Sequence, residues 1–388
     1  MKKIFDNTEV AFSLKSDSEL ERAYFLFNLI KIEPLVKIGT AVTKFALKSK
    51  LPVEGLIRST VFDHFCGGVT EEDCMHNIDK MYSRKVHSVL DYSVEGKENE
   101  KQFDNAMNKV LKIINFAKEK NAIPFAVFKP TGFGRIALYQ KVSENHKLSD
   151  EESKEWDRVI GRYNKVSSAS YEKNIPLLID AEESWMQKAV DDLIEKLMEE
   201  YNTEKTIVFT TIQAYRKDRM EYLIELHERA KSKGFKIGVK IVRGAYMEKE
   251  RERAVKYGYA DPICKDKSAT DKNFDDILKY MFNNLNDISI FNGTHNEYSS
   301  YLFMDLIKKS NYDLSDPRLW FGQLYGMSDH ISYNLAQGGF NVAKYLPFGP
   351  VKDVMPYLIR RAEENTSVAG QTNRELGLIK IEKKRRKI

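Results

Sequence analysis

The chain has 388 residues, 42% of them apolar and 31% charged, with a formal charge of +5. Length and apolar content suffice to bury a large core, which excludes a disordered protein. Residues 380–388, KIEKKRRKI, hold six basic residues and one acid, the whole of the net charge, so the chain-wide basic footprint of a nucleic-acid binder is missing.

The start, MKKIFDNTEVAFSLKSD, reaches acidic residues too early for a signal peptide, and no run of about 18 apolar residues could span a bilayer. A soluble, cytoplasmic protein is expected, at most peripheral at the inner face of a membrane. Residues 17–84 read as helix, interrupted at Pro34, Pro52 and Gly67-Gly68, and residues 1–84 are assigned to an N-terminal helical arm. Cys66, Cys74 and Cys264 match no zinc or redox spacing and read as ordinary intracellular thiols.

From residue 85 the text changes. Eight short apolar, β-branched runs follow in order: HSVLDYSVE, PFAVFKPTG, PLLIDAEE, TIVFTTIQAY, IGVKIVRGAY, ISIFNGTHN, LWFGQLYG and AKYLPFGP. Between them lie segments of helical period such as KQFDNAMNKVLKIINFAKEK, SWMQKAVDDLIEKLMEEYN, DRMEYLIELHERAKSKG and EYSSYLFMDLIKKS. Apolar strands alternating with helices indicate a parallel sheet covered on both sides. The α/β fold expected over residues 85–370 is a (β/α)8 TIM-like barrel, regular or distorted, with an open doubly wound sheet as the competitor. Residues 371–388 form a basic tail, whose end, residues 380–388, is read as disordered and solubilising, with contact to an anionic membrane or partner as the alternative.

Each apolar run ends on a residue able to do chemistry: Asp91, Lys129, Asp180, Gln213, Lys240 with Arg243, His295, Gln323 and Tyr345. In a barrel those ends share the face on which active sites lie. Any one of them could be a polar residue emerging toward water, or a helix cap. Eight in succession favour a site.

The eighth run leads into FGPVKDVMPYLIRRAEEN, where Pro356 suits the first turn of a helix. Glu364 lies four residues from Arg360 and three from Arg361, so it can brace either guanidinium. On an open helix face such pairs contribute only about 0.2–1 kcal/mol. Beside a pocket, two guanidinium forks with Lys129 would leave surplus positive charge for an anionic ligand such as a carboxylate.

Other signals are weak. TGFGR lacks the third glycine of a dinucleotide fingerprint, and no phosphate-loop pattern occurs. The seven histidines form no HExxH or close pair, so no metal site is assigned and His295 is read as a hydrogen-bond donor. The acids of DAEES could ligate a metal, but with no partner cluster Asp180 is read as a strand-end hydrogen-bonding residue.

The ordered set KPTGFG, LLIDAEE, IQAY, VKIVRGAYMEKE, GTHN, QLYGM and YLPFGPVKDVMPYLIRRAEEN resembles the proline dehydrogenase family of (β/α)8 flavoproteins, over most of the chain. The resemblance implies FAD at the C-terminal mouth of the barrel, with L-proline on one flavin face. It implies that Arg360 and Arg361 hold the substrate carboxylate with help from Lys129. Tyr345 and Tyr357 would pack around the ring and the clamp, and Glu95 would pair with the first arginine on closure. Positions implied to contact the flavin are Gln213, Arg243, Gly244, Ala245, Tyr246, Thr294, His295, Gln323, Arg361, Glu364 and Ser367, with Asp180 near both ligands. Lys240 stands where many relatives carry arginine near the flavin N5, which keeps the charge and loses the fork.

The reaction so implied takes a hydride from proline C5 to flavin N5 and yields Δ1-pyrroline-5-carboxylate, the first step of proline catabolism. Electrons would go on to a quinone or another acceptor, with the basic tail helping to reach a membrane. Two rivals stay open. One is a 4-hydroxyproline dehydrogenase, against which Tyr345 speaks, because hydroxyproline-oxidising relatives tend to carry a smaller residue there. The other is a flavin-free amino-acid-binding barrel.

Overall fold

The computed structural model describes residues 3–32, 34, 55, 58–93, 98–367 and 369–388. Eight strands, β1 (Val86–Tyr92), β2 (Phe125–Phe128), β3 (Leu177–Ile179), β4 (Val208–Gln213), β5 (Ile237–Val242), β6 (Ile288–Gly293), β7 (Leu319–Leu324) and β8 (Val342–Phe348), follow chain order around a closed barrel. Each apolar run contains one strand, and the closed order excludes the open doubly wound sheet. The chain divides into two compact units, Met1–Glu95 with Gln323–Ile388, and Gly96–Gly322.

In the unit Gly96–Gly322, parallel ladders join β2 through β7, for example Gln213 beside Val242 and Lys240 beside Phe291. The intervening helices begin where short polar side chains supply caps. Asn99 accepts from the Gln102 N–H, Ser149 and Glu152 form a capping box, and Asp266 and Asn296 cap the helices Lys267–Asn283 and Glu297–Lys309. Aromatic rings fill this unit's interior: Phe125 of β2 meets Phe209, Phe291 and Trp320 edge-on at 5.8, 5.3 and 5.1 Å between centroids. Gly322 makes room for this packing, since a Cβ there would stand 2.1 Å from Phe291. Edge-on ring pairs add about 0.5–1.5 kcal/mol each to the burial of the rings.

In the other unit, β1 and β8 pair in parallel from Val86 beside Val342 to Tyr92 beside Phe348. The helix Asp17–Ile30, capped by a Ser16–Glu19 box, packs on the C-terminal helix Ala369–Arg386 through Phe12, Leu20, Phe27, Leu376, Leu378 and Ile379. Residues 380–388 are therefore not a disordered end. Their charges are matched by acids near the N-terminus: Lys383 pairs with Glu21 at 2.6 Å, and Arg386 bonds Glu382, Asp17 and the carbonyls of Phe12 and Lys15. The expected helical arm appears as Asp17–Ile30 and Met75–Tyr82 with shorter turns, while residues 35–54 lie outside the described residues.

Pro356 is not in the first turn. The helix runs Val351–Ser367, because Gly349 takes φ 143° and the Pro350 carbonyl accepts the first bonds from Asp353 and Val354. Pro356 is thus inside the helix, on an exposed position. Among the described residues no helix is long and apolar enough to cross a membrane, and Cys66, Cys74 and Cys264 are buried free thiols.

Candidate functional site

Three strand ends of the unit Gly96–Gly322 bring charged side chains together. Lys240 of β5 donates to Asp180 Oδ1 at 2.5 Å, and Lys129, directly after β2, lies 3.5 Å from Asp180 Oδ2. Asp180 follows β3, and its own N–H bonds the Phe128 carbonyl. Burial pushes its carboxyl up, but Lys240 and then Lys129 outweigh that and hold it below the ordinary aspartate range. One carboxylate thus serves two ammonium groups. The sequence marked all three residues, but not that they form one cluster.

Gln213 ends β4 and is 1% exposed. Its Nε2 donates to the Glu182 carbonyl at 2.9 Å, while its Oε1 has no hydrogen-bond partner. A buried acceptor left without a donor costs about 1–3 kcal/mol, so the position suits a ligand that brings an N–H or O–H.

Arg243, after β5, is fixed by protein groups: Nε to Asp271 at 2.7 Å, one terminal nitrogen to Thr294 Oγ1 at 2.7 Å and the other to Ser299 Oγ at 3.0 Å. Gly244 has φ 131°, and a Cβ there would meet the Tyr215 ring at 2.4 Å, so the chain can pass this point only as glycine. Gly244 and Ala245 are exposed and Tyr246 half-buried. Thr294 is buried, its N–H on the Gly322 carbonyl and its hydroxyl shared by Arg243 and the Asn296 N–H, with His295 half-buried beside it.

Sequence reasoning passed over Glu182, Thr131, Asp271 and Ser299. Glu182 and Thr131 lie inside the motifs DAEE and KPTG, but nothing in their spacing couples them. Burial pushes the Glu182 carboxyl up to about 7.

The unit that carries β1 and β8 holds the remaining positions. Asp91 ends β1 and accepts from Ser93 Oγ at 2.8 Å. Gln323 accepts from Ser332 Oγ at 2.9 Å. Tyr345 of β8 is buried, and on the helix Val351–Ser367 the Arg361 guanidinium lies 5.4 Å from the buried Tyr357 ring. Arg361 is only 9% exposed and Arg360 half-buried, so neither is splayed into water. Tyr357 and Arg361 are four apart, which stacks cation on ring along one helix face. Glu95 and the side chains of Glu364 and Ser367 lie outside the described residues.

On the outer side of β8, Lys344 is fully buried and pairs with Asp329 at 2.8 Å, and Asp329 also meets Lys15 at 3.1 Å. Burial would raise the Asp329 carboxyl, but Lys15 and Lys344 hold it far below the ordinary range.

The family model described as proline dehydrogenase matches residues 74–374. The "Carbapenem antibiotics biosynthesis protein CarD" of Pectobacterium carotovorum subsp. carotovorum is 36% identical, over 90% of this chain and 91% of that protein. "Proline dehydrogenase 1, mitochondrial" of Arabidopsis thaliana is 31% identical, over 97% of this chain and 85% of its own length. Among solved structures, proline utilization A from Bdellovibrio bacteriovorus inactivated by N-propargylglycine superposes with a TM-score of 0.70 at 22% identity, over 94% of this chain and 37% of the solved one. This chain therefore spans about a third of that larger protein, and the likeness shows the fold.

Proposed function

Because the chain belongs to the proline dehydrogenase family, we propose that it oxidises L-proline to Δ1-pyrroline-5-carboxylate with a bound FAD. The observation that carries this reading is the largely buried Lys129–Asp180–Lys240 cluster at three strand ends. Its two ammonium groups suit a small amino-acid anion. Arg361, nearly buried over Tyr357, and Arg360 beside it supply the guanidinium forks for the substrate carboxylate.

The residues fit a flavin. The orphaned Gln213 Oε1 asks for a donor, and Gly244 keeps the backbone after β5 free of a side chain. In this reading Gln213, Lys240, Arg243, Gly244, Ala245, Tyr246, Thr294, His295, Gln323, Arg361, Glu364 and Ser367 hold the cofactor. FAD, when bound, supplies the acceptor for the hydride that leaves C5 of proline.

The protein's share is positioning and charge. Arg360, Arg361 and Lys129 fix the carboxylate, Tyr345 and Tyr357 pack the ring, and water is kept from the reacting carbon. As C5 loses its hydride, the nitrogen lone pair closes the C=N bond, and the resulting iminium gives its N–H proton to solvent water on release. Asp180, held low by its two lysines, is a poor base near neutrality. In this reading proline reacts with its amine already unprotonated. The two electrons pass on to a quinone, and the exposed Lys380 and Lys384 of the C-terminal helix, with Lys387 just beyond it, favour peripheral contact with an anionic membrane.

The test is one pair of spectra. The purified protein should be yellow with a flavin spectrum that bleaches on anaerobic addition of L-proline, and faster than with 4-hydroxyproline, for which Tyr345 leaves less room. A colourless protein that FAD does not reconstitute, or a flavin that proline leaves oxidised, overturns the reading.

A further inference from the structure

Lys129 stands just before a turn, Pro130–Gly132, that receives no side-chain hydrogen bond from the residue that caps it. The missing partner comes from the next strand end. Glu182 accepts from the Thr131 N–H through Oε2 at 2.8 Å and pairs its Oε1 with the Thr131 hydroxyl at 2.8 Å. Its main chain is tied as well: the carbonyl accepts from Gln213 Nε2 at 2.9 Å, and the N–H donates to Gln187 Oε1 at 3.2 Å. Glu182 is itself buried and lies two residues beyond Asp180. One residue therefore binds the ends of β2, β3 and β4, which carry Lys129, Asp180 and Gln213.

We propose that Glu182 is a positioning residue for the reaction: it fixes the turn that carries Lys129 against the strand ends that carry Asp180 and Gln213. This rests on the proposed proline oxidation, since Lys129 and Asp180 matter only if they face the substrate. The carboxyl also sets the local charge. The groups around it are Lys129, Glu183 and the buried phenols of Tyr139 and Tyr163. Burial, with Glu183 adding to it, raises the carboxyl to about 7, against the pull of the Thr131 bonds and Lys129. Below that pH the neutral acid adds no charge beside Lys129. Above it the ionised form places a negative charge beside Lys129, while its bonds from Thr131 persist.

Glutamine reproduces the neutral acid: its Oε1 accepts from the Thr131 N–H and its amide donates to the Thr131 hydroxyl. Glu182→Gln should therefore keep kcat/KM for proline within about threefold below pH 7, whereas Glu182→Ala should lose about 10- to 100-fold through misplaced groups. As pH passes about 7, KM in the wild type should rise relative to KM in Glu182→Gln, because the change that deprotonation of the proline amine brings is common to both. Thr131→Val keeps the N–H, loses the hydroxyl and should fall between the two.

Equal kcat/KM in Glu182→Ala and wild type, or a Glu182→Gln as impaired as Glu182→Ala, would overturn the proposal. So would a KM profile that Glu182→Gln leaves unchanged. A melting-temperature double-mutant cycle of Thr131→Val with Glu182→Gln and Glu182→Ala reads the bond without turnover. Coupling is expected for alanine, and strict additivity refutes the tie. If Glu182→Ala does not fold, the Glu182→Gln profile and Thr131→Val still decide. If wild-type flavin is not reduced by proline, it is the proline assignment that fails, and the melting cycle still judges the tie.

Discussion

Replacing Asp180 by asparagine should damage stability and catalysis together, and the size of the first effect follows from the cluster. Asp180→Asn keeps the volume and removes the one negative charge between two ammonium groups, whose side chains are 18% (Lys129) and 7% (Lys240) exposed. Removing one partner of a buried ion pair costs about 3–5 kcal/mol, and partial exposure here argues for the lower end, about 3 kcal/mol. With an unfolding entropy of about 2.1 cal/mol/K per residue over the whole chain, that lowers Tm by about 4 °C.

The pH dependence is fixed in sign. The folded carboxyl is held below its unfolded value, so its contribution is present above the ordinary aspartate range and is lost as pH falls through the folded value. Wild type and Asp180→Asn should therefore differ at neutral pH and converge in acid. Thermal melts at matched FAD concentration from neutral pH into acid are the assay. Lys129→Met is the control: it leaves the Asp180–Lys240 pair neutral and should cost much less. A neutral-pH Tm equal to wild type, or a gap that persists unchanged in acid, would refute the reasoning.

Arg361→Met should raise the KM for proline strongly at near-normal flavin content, and steady-state kinetics with an absorbance ratio would show it; an unchanged KM contradicts the clamp. Ending the chain at Gly377 should lower Tm markedly, because it removes Leu378 and Ile379 from a buried cluster as well as the Arg386 bonds, at about 1.5–3 kcal/mol per buried aliphatic side chain. The membrane contact is better tested by reversing Lys380, Lys384 and Lys387 to glutamate: binding to anionic liposomes should fall at unchanged Tm, and undiminished binding would remove that role.

The strands were legible because both faces of each are covered, so they read as unbroken apolar runs, and the helices because their apolar stripes recur at helical spacing. Pro356 misled because a preference for first turns says nothing about where a turn such as Gly349-Pro350 has already opened the helix. The tail misled through composition: KIEKKRRKI looks solvated until Asp17 and Glu21, more than 350 residues earlier, are set beside it. Lys129, Asp180 and Lys240 were visible one at a time, as strand-end residues. Their union depends on the approach of positions 51 and 60 residues apart, to which no local pattern is sensitive. Glu182 escaped for the same reason, its partner lying 51 residues away.

The Lys15–Asp329–Lys344 node gives the chain's beginning a stake in its last strand. Side chains alternate along a strand, so Lys344 and Tyr345 look in opposite directions, one toward the N-terminal segment and the other away from it. Residues 3–15, held also by Arg386 through two carbonyls, thus buttress the strand from behind. Trimming either end to tidy the protein would slacken a wall, not remove an ornament.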